Sequence, residues 1–291
     1  MSGAFTAACL QLNAAREITP NIAAASDLVR RARDQGADLI MTPEVSDMME
    51  PRRALRLEKA MPEARHPMLA AFAALARETG AWLLLGSIVV REEGGDGRLA
   101  NRSILLSPDG QVAARYDKIH MFDVSLAGGE TYRESAAFRP GDKAILARLP
   151  WGVLGMTVCY DLRFPHLYRA LAQGGAQFLS IPSAFTVPTG RAHWHVLLRA
   201  RAIENFCFVF APAQWGEHAE GRRTYGHALI VAPWGEILAE AEDGPGMILA
   251  RIDPARIEEA RRSVPSLDHD RPFAGPAGEF TLNPVDGRIR A

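Results

Sequence analysis

The sequence predicts an α/β fold in which parallel strands are covered by helices, with antiparallel strands added in the middle of the chain. Three observations predict it. Apolar runs of strand length alternate with segments of helical period over the first ninety residues. A central stretch then carries short strands, two of them joined by the turn word Ser107-Pro108-Asp109-Gly110. The strand-helix alternation returns beyond residue 153.

In order, residues 4–12 form a strand, and residues 21–35 place Ile22, Leu28, Val29 and Ala32 near helical spacing before Gly36 stops the turn. Residues 37–42 (ADLIMT) are an apolar strand, 68–77 a helix, and 82–90 a strand closed by Gly94-Gly95-Asp96-Gly97. Residues 103–106, 111–116 and 144–149 are the short central strands. A strand over 153–159, a helix over 165–173, a strand over 177–181 and a long helix over 193–205 follow. On that last helix Val196, Leu197, Ala200 and Ile203 mark one apolar face. Strands resume at 207–213, 227–232 and 237–241, the last two joined by Pro233-Trp234-Gly235-Glu236. No linker or internal repeat divides the chain, so residues 1–291 read as a single domain with an irregular tail from about residue 265.

Composition bounds the function. The 33 Lys and Arg balance 34 Asp and Glu, leaving a formal charge of −1, so no electrostatic feature singles out nucleic acid or an anionic membrane as a partner. A hydrophobic content of 48% against 23% charged residues is that of a folded globular chain. The apolar stretches 79–90 and 205–216 are too short to span a bilayer, and 170–190 is broken by Gly, Gln, Ser and Pro. Residues 1–13 lack the basic start of a secretory signal, which gives a cytoplasmic expectation. Cys9, Cys159 and Cys207 lie far apart with no CxxC spacing, which argues against a disulfide framework and a thiolate zinc site.

Three residues at strand ends carry the chemistry that can be argued from type and place. Cys159 ends an apolar strand ahead of a helix that opens at Pro165, where the helix dipole and any nearby cation lower a thiol pKa. Glu44 follows the strand ADLIMT through Pro43, at the edge where crevices of open α/β sheets form, and a carboxylate there can act as general base. Lys118 lies just past another strand, placed to stabilise an oxyanion. Taken singly, each has an ordinary alternative: a core thiol, a solvated loop acid, a surface lysine.

The words around them are more specific. Pro43-Glu44, then Tyr116-Asp117-Lys118-Ile119-His120-Met121-Phe122-Asp123, then Val158-Cys159-Tyr160-Asp161-Leu162-Arg163-Phe164-Pro165 stand in the order and at the separations of the nitrilase, or carbon-nitrogen hydrolase, superfamily, which the chain resembles from its first strand to about Pro272. The resemblance implies a four-layer αββα sandwich with two mixed β-sheets, a homodimer or higher homo-oligomer, no cofactor, and a small-molecule amide substrate. It also implies Glu44 as general base, Lys118 as the cation for the intermediate, Cys159 as nucleophile, and Glu134, in Tyr132-Arg133-Glu134-Ser135, as a second glutamate that orients substrate. Within the superfamily, Ser180-Ile181-Pro182-Ser183-Ala184-Phe185, Gly190-Arg191-Ala192-His193-Trp194, Tyr225-Gly226-His227 and Pro233-Trp234-Gly235 look most like the deaminated glutathione amidase branch. Many members carry Glu after the His-Trp pair, where this chain has His195.

That branch implies a substrate with a carboxylate and α-keto group at one end and a peptide tail at the other. Arg163, Arg191 and Arg199 are the cations to expect around it, the backbone near Phe185 and Thr186 the donors, and Tyr160 and Phe185 pocket walls. An ω-amidase acting on 2-oxoglutaramate, an aliphatic or N-carbamoyl amidase, and a nitrilase share the Glu-Lys-Cys set and remain alternatives. A non-catalytic dimeric scaffold is opposed by Glu44, Lys118, Cys159 and Glu134 all being present. No metal is expected: His193 and His195, two residues apart on a helix, face different sides, and no HExxH word accompanies them. The glycine turn lacks a phosphate-binding pattern, and Ser183 lacks a GxSxG setting.

Overall fold

The computed structural model describes residues 3–92, 94, 96–126, 129–275, 281–282 and 289–290. The chain runs β1 (Phe5–Leu12), α1 (Ile18–Asp34), β2 (Leu39–Met41), α2 (Arg53–Lys59), α3 (Pro67–Thr79), β3 (Trp82–Arg91), β4 (Leu99–Leu106), β5 (Val112–Asp117), β6 (Asp123–Ser125), β7 (Thr131–Arg133), β8 (Ile145–Leu149) and β9 (Gly152–Met156). It continues through α4 (Pro165–Gln173), β10 (Phe178–Ser180), α5 (Val187–Asn205), β11 (Phe208–Ala211), β12 (Ala213–Glu217), β13 (Arg223–Tyr225), β14 (Leu229–Val231), β15 (Ile237–Glu240), β16 (Gly246–Ile252) and α6 (Ala255–Ser263).

Two mixed sheets result. The first has the order β13-β12-β1-β2-β3-β4-β5, with β16 antiparallel to β1; β12, β1, β2 and β3 are mutually parallel, and β3, β4 and β5 antiparallel. The second has the order β15-β14-β11-β10-β9-β8. Side-chain alternation in β1 explains how they stack. Phe5, Ala7 and Cys9 join Leu154, Phe178 and Phe210 in a core between the sheets, whereas Ala8, Leu10 and Leu12 join Leu28, Val29, Phe72 and Leu75 of α1 and α3. Phe5 meets Phe178 edge-on at 5.4 Å between ring centroids, and both are buried. Burying one such ring contributes about 1.5–3 kcal/mol. On the far side Leu167, Tyr168 and Leu171 of α4 and Trp194 and Leu198 of α5 cover the second sheet. The layers are therefore α, β, β, α.

Several sequence expectations are corrected in detail. The strand placed at 153–159 ends at Met156, and Cys159 opens a 3-10 turn (Cys159–Arg163). Helix α5 begins at Val187, not 193, because Pro188 sits in the first turn where no N–H bond is lost. Gly190 is no break either, since a Cβ there would lie 2.2 Å from Tyr225 Cγ: only glycine lets helix and ring approach. The apolar face assigned to this helix points the wrong way, for Trp194, Leu198 and Ala202 are buried while Val196 and Ile203 are exposed. Helices α2 and α6, the β6-β7 hairpin and β16 had no expectation. The turn at Ser107 forms as expected, with Gly110 at φ +75° donating its N–H to the Ser107 carbonyl. Gly95 of the β3-β4 turn, and residues 276–280 and 283–288 of the tail, lie outside the described residues. No helix among the described residues is long and apolar enough to cross a membrane.

Candidate active site

Glu44, Lys118 and Cys159 follow the ends of β2, β5 and β9, and the fold brings them together with Glu134 at the floor of one cavity of about 710 Å³. The strands alone do not aim these side chains. Local devices do.

A register shift between Leu85 and Ile88 puts a bulge in β3 beside Glu44. There Ser87 donates its N–H to the Pro43 carbonyl at 3.2 Å and accepts the Val45 N–H on its hydroxyl at 2.8 Å. Val45 is held at φ +46°, a left-handed conformation that a β-branched residue adopts only under constraint. Gly86 makes the approach possible, because a Cβ there would lie 1.9 Å from the Thr42 carbonyl oxygen. Gln214 adds a bond from its Nε2 to the Glu44 carbonyl at 3.0 Å.

Cys159 is also left-handed, at φ +51°, with its N–H bonded to the Pro182 carbonyl at 2.9 Å. Asp161 holds this turn. Its carboxylate accepts from Val158 N–H at 2.8 Å, Tyr116 hydroxyl at 2.7 Å and His120 N–H at 3.0 Å, and pairs with His120 Nδ1 at 2.7 Å. His120 in turn stacks on Phe164 with centroids 3.5 Å apart.

The charged centre is compact. Lys118 Nζ donates to Glu44 Oε1 at 2.9 Å and to both Glu134 oxygens at 2.9 and 2.8 Å. Asn101 Nδ2 bridges the same two acids, at 3.0 Å to Glu44 and 3.2 Å to Glu134. Glu134 also accepts the Phe122 N–H at 2.6 Å. Glu44 Oε2 accepts the Ala184 N–H at 3.0 Å and neighbours the Cys159 thiol.

Electrostatics assigns a protonation state to each group. Burial pushes the Lys118 ammonium toward deprotonation, but Glu134 and Glu44 outweigh it and hold the charge well beyond the ordinary lysine range. Burial likewise opposes a charged Glu44, yet the Lys118 ammonium beside it keeps that carboxyl below its usual value. The Cys159 thiol is pushed well up, first by burial and then by Glu44, with Lys118 opposing only in part. This corrects the expectation of a lowered thiol pKa. Two carboxylates against one ammonium already leave a net negative charge, so a resting thiolate would add a second buried one. The pair at rest is a neutral thiol beside a carboxylate able to accept its proton.

Above this floor, Tyr160, Arg163, Phe185 and Thr186 line the cavity. The Arg163 guanidinium lies 5.5 Å from the Phe185 ring centroid and 5.9 Å from that of Tyr160. Arg191 and Arg199 are not in the wall; Arg199 is used structurally, donating to the Gly235 carbonyl at 2.8 Å. His193 and His195 do part as expected, His193 toward Arg163 and His195 toward Glu240.

Sequence reasoning missed Asn101, Arg56 and Arg222. Asn101 carries only a weak signal, a polar residue inside an apolar strand, and it is buried between the two acids. Arg56 and Arg222 line the cavity from segments with no sequence expectation. Burial lowers the Arg56 pKa, and repulsion from Arg222 lowers it further. Arg222 Nε is buried with no hydrogen-bond partner, so this wall holds an unsatisfied donor and two mutually repelling cations.

Comparison with known proteins identifies the family. The carbon-nitrogen hydrolase family pattern matches residues 6–262. The chain is 42% identical over 268 residues to a protein of Synechocystis sp. named deaminated glutathione amidase, covering 91% of this chain and 97% of that one. It is 41% identical over 272 residues to a Homo sapiens protein of the same name, covering 91% and 82%. The crystal structure of the C. elegans NitFhit protein superposes with a TM-score of 0.87 at 34% identity, covering 93% of this chain and 66% of that longer one. The αββα layers and these likenesses lead to one conclusion: the chain belongs to the carbon-nitrogen hydrolase family.

Proposed function

We propose that the enzyme hydrolyses deaminated glutathione to α-ketoglutarate and cysteinylglycine through a thioester on Cys159. Glu44 takes the thiol proton as Sγ attacks the amide carbonyl, and the oxyanion forms against the Lys118 ammonium and the N–H of Tyr160. Glu44 returns the proton to the departing amine of cysteinylglycine. Water then enters, Glu44 removes its proton, and attack on the thioester frees α-ketoglutarate and the thiol. Glu134 and Asn101 hold Lys118 and Glu44 in register. The observation that carries the reading is the geometry of the charged centre, in which Glu44 lies beside the Cys159 thiol and shares the Lys118 ammonium with Glu134.

The wall supports the choice of substrate. A cavity of about 710 Å³ exceeds what an ω-amide needs, and the tail carboxylate would give Arg222, whose Nε has no hydrogen-bond partner, an acceptor at the cavity wall. Deaminated glutathione is expected to be turned over with kcat/KM at least tenfold above 2-oxoglutaramate, about 1.4 kcal/mol of transition-state binding. Arg222→Ala is expected to raise KM for deaminated glutathione by roughly tenfold or more, the worth of a charged hydrogen bond, while leaving KM for 2-oxoglutaramate unchanged. Assay of both substrates by released α-ketoglutarate checks this. A preference for 2-oxoglutaramate would replace the reading with an ω-amidase.

We also propose a cytoplasmic homodimer. Three free, buried cysteines suit a reducing compartment. Val196 and Ile203 of α5, with Trp234 and Ile237, form an exposed apolar face that a second copy would cover. Sedimentation velocity is expected to give a dimer that Val196→Glu dissociates; a monomeric wild-type protein would rule the dimer out.

A further inference from the structure

Outside the catalytic cavity, one cluster brings together three metal-ligating side chains from three separate elements. His195 comes from α5, His227 from the turn before β14, and Glu240 from the end of β15. His195 Nε2 and His227 Nδ1 each lie 2.8 Å from Glu240 Oε1, and one ligand atom from each residue falls within 4.8 Å of the others. None of the three lines the cavity.

Two further features favour a ligand over a simple hydrogen-bonded trio. His227 stands at φ +57°, a left-handed conformation uncommon outside glycine, and its carbonyl is fixed there by the Trp194 Nε1–H at 2.8 Å. The backbone strain serves to aim its Nδ1 at Glu240. The side chains of His195, His227 and Glu240 also keep 30%, 31% and 35% of their surface open, so water can complete a coordination shell.

We propose that His195 Nε2, His227 Nδ1 and a Glu240 carboxylate oxygen bind a divalent transition-metal ion of the zinc and cobalt kind. Two neutral imidazole nitrogens and one carboxylate are a borderline-soft donor set that suits such ions and not calcium or magnesium. On binding, each neutral imidazole turns a lone pair to the metal at the nitrogen that faces Glu240 and carries its single N–H proton on the other ring nitrogen, a tautomer exchange through water in which no proton is gained or lost. Bond lengths of about 2.0–2.2 Å then require each ligand atom to shift by no more than roughly 1 Å. The site does not depend on the substrate assignment above.

The test uses chelator-stripped full-length protein free of any histidine tag, with Cys159→Ala to remove the one thiol in the cavity. Cobalt(II) titration is followed by visible d–d absorption, and zinc affinity by competition. One ion per chain is expected, with no thiolate charge-transfer absorption. His195→Ala, His227→Ala and Glu240→Gln should each weaken binding at least about 100-fold, the upper end of what losing even an outer-shell partner costs, whereas His193→Ala should leave it unchanged. Glu240→Gln keeps the volume and an acceptor oxygen, so folding is preserved and circular dichroism verifies it for all four. Failure to bind cobalt or zinc at micromolar concentration, or equal affinity in all four variants, would overturn the proposal.

Discussion

Cys159→Ala is expected to lower amide hydrolysis by roughly 10⁴-fold or more, the scale seen when a nucleophile is removed from a site whose other parts stay in place. The protein should remain folded. Only the thiol is lost, and the turn around it is tied by main-chain bonds and by Asp161, not by Sγ. Iodoacetamide is expected to label Cys159 well before Cys9 and Cys207. All three thiols are raised by burial, Cys207 to about 11, but Cys159 alone opens on the cavity and has a carboxylate beside it to take its proton. Peptide mapping by mass spectrometry reads the order, and faster labelling of Cys207 would contradict the assignment.

Lys118→Met is expected to damage both rate and stability. Loss of the ammonium should reduce kcat by about 10²–10³-fold through lost oxyanion stabilisation. It also leaves the buried Glu44 and the partly buried Glu134 sharing only Asn101, and removing one partner of a buried ion pair costs about 3–5 kcal/mol. The pH dependence follows from the sign of each shift. In the wild type the Glu44 carboxyl is held down, so its contribution to stability is present above the unfolded carboxyl pKa and is lost as pH falls through the folded one. Without Lys118, burial raises the same group, and the penalty present at pH 7 is relieved on acidification. Thermal unfolding from pH 7 to 5 should therefore narrow the gap between variant and wild type; a gap that widens would show that the acids are not charged against Lys118.

The α/β character could be read from alternating strand and helix, because β1, β3, α3 and α4 have clean local periods and clear stops, whereas the four αββα layers were implied only by the family resemblance. The side chains that matter were legible through the words around them. What was not legible depends on distant contacts. The exposed setting of Val196 and Ile203 cannot be told from a buried face by period alone, since both are apolar stripes on one helix. The raised Cys159 thiol follows from its burial and from Glu44 lying beside it across the fold, which no local sequence encodes. Asn101 and Arg222 likewise gain their places only when β4 and the segment before β13 meet the cavity.

The most direct test of the mechanism is hydroxylamine partitioning during turnover of deaminated glutathione. A thioester on Cys159 predicts that hydroxylamine, close to water in size, diverts the acyl group to a hydroxamate in a saturable way. Cysteinylglycine should still be released at an undiminished rate, and the hydroxamate should be absent with Cys159→Ala. α-Ketoglutarate as the sole acyl product at every hydroxylamine concentration would mean that water attacks the amide directly, and would contradict the account.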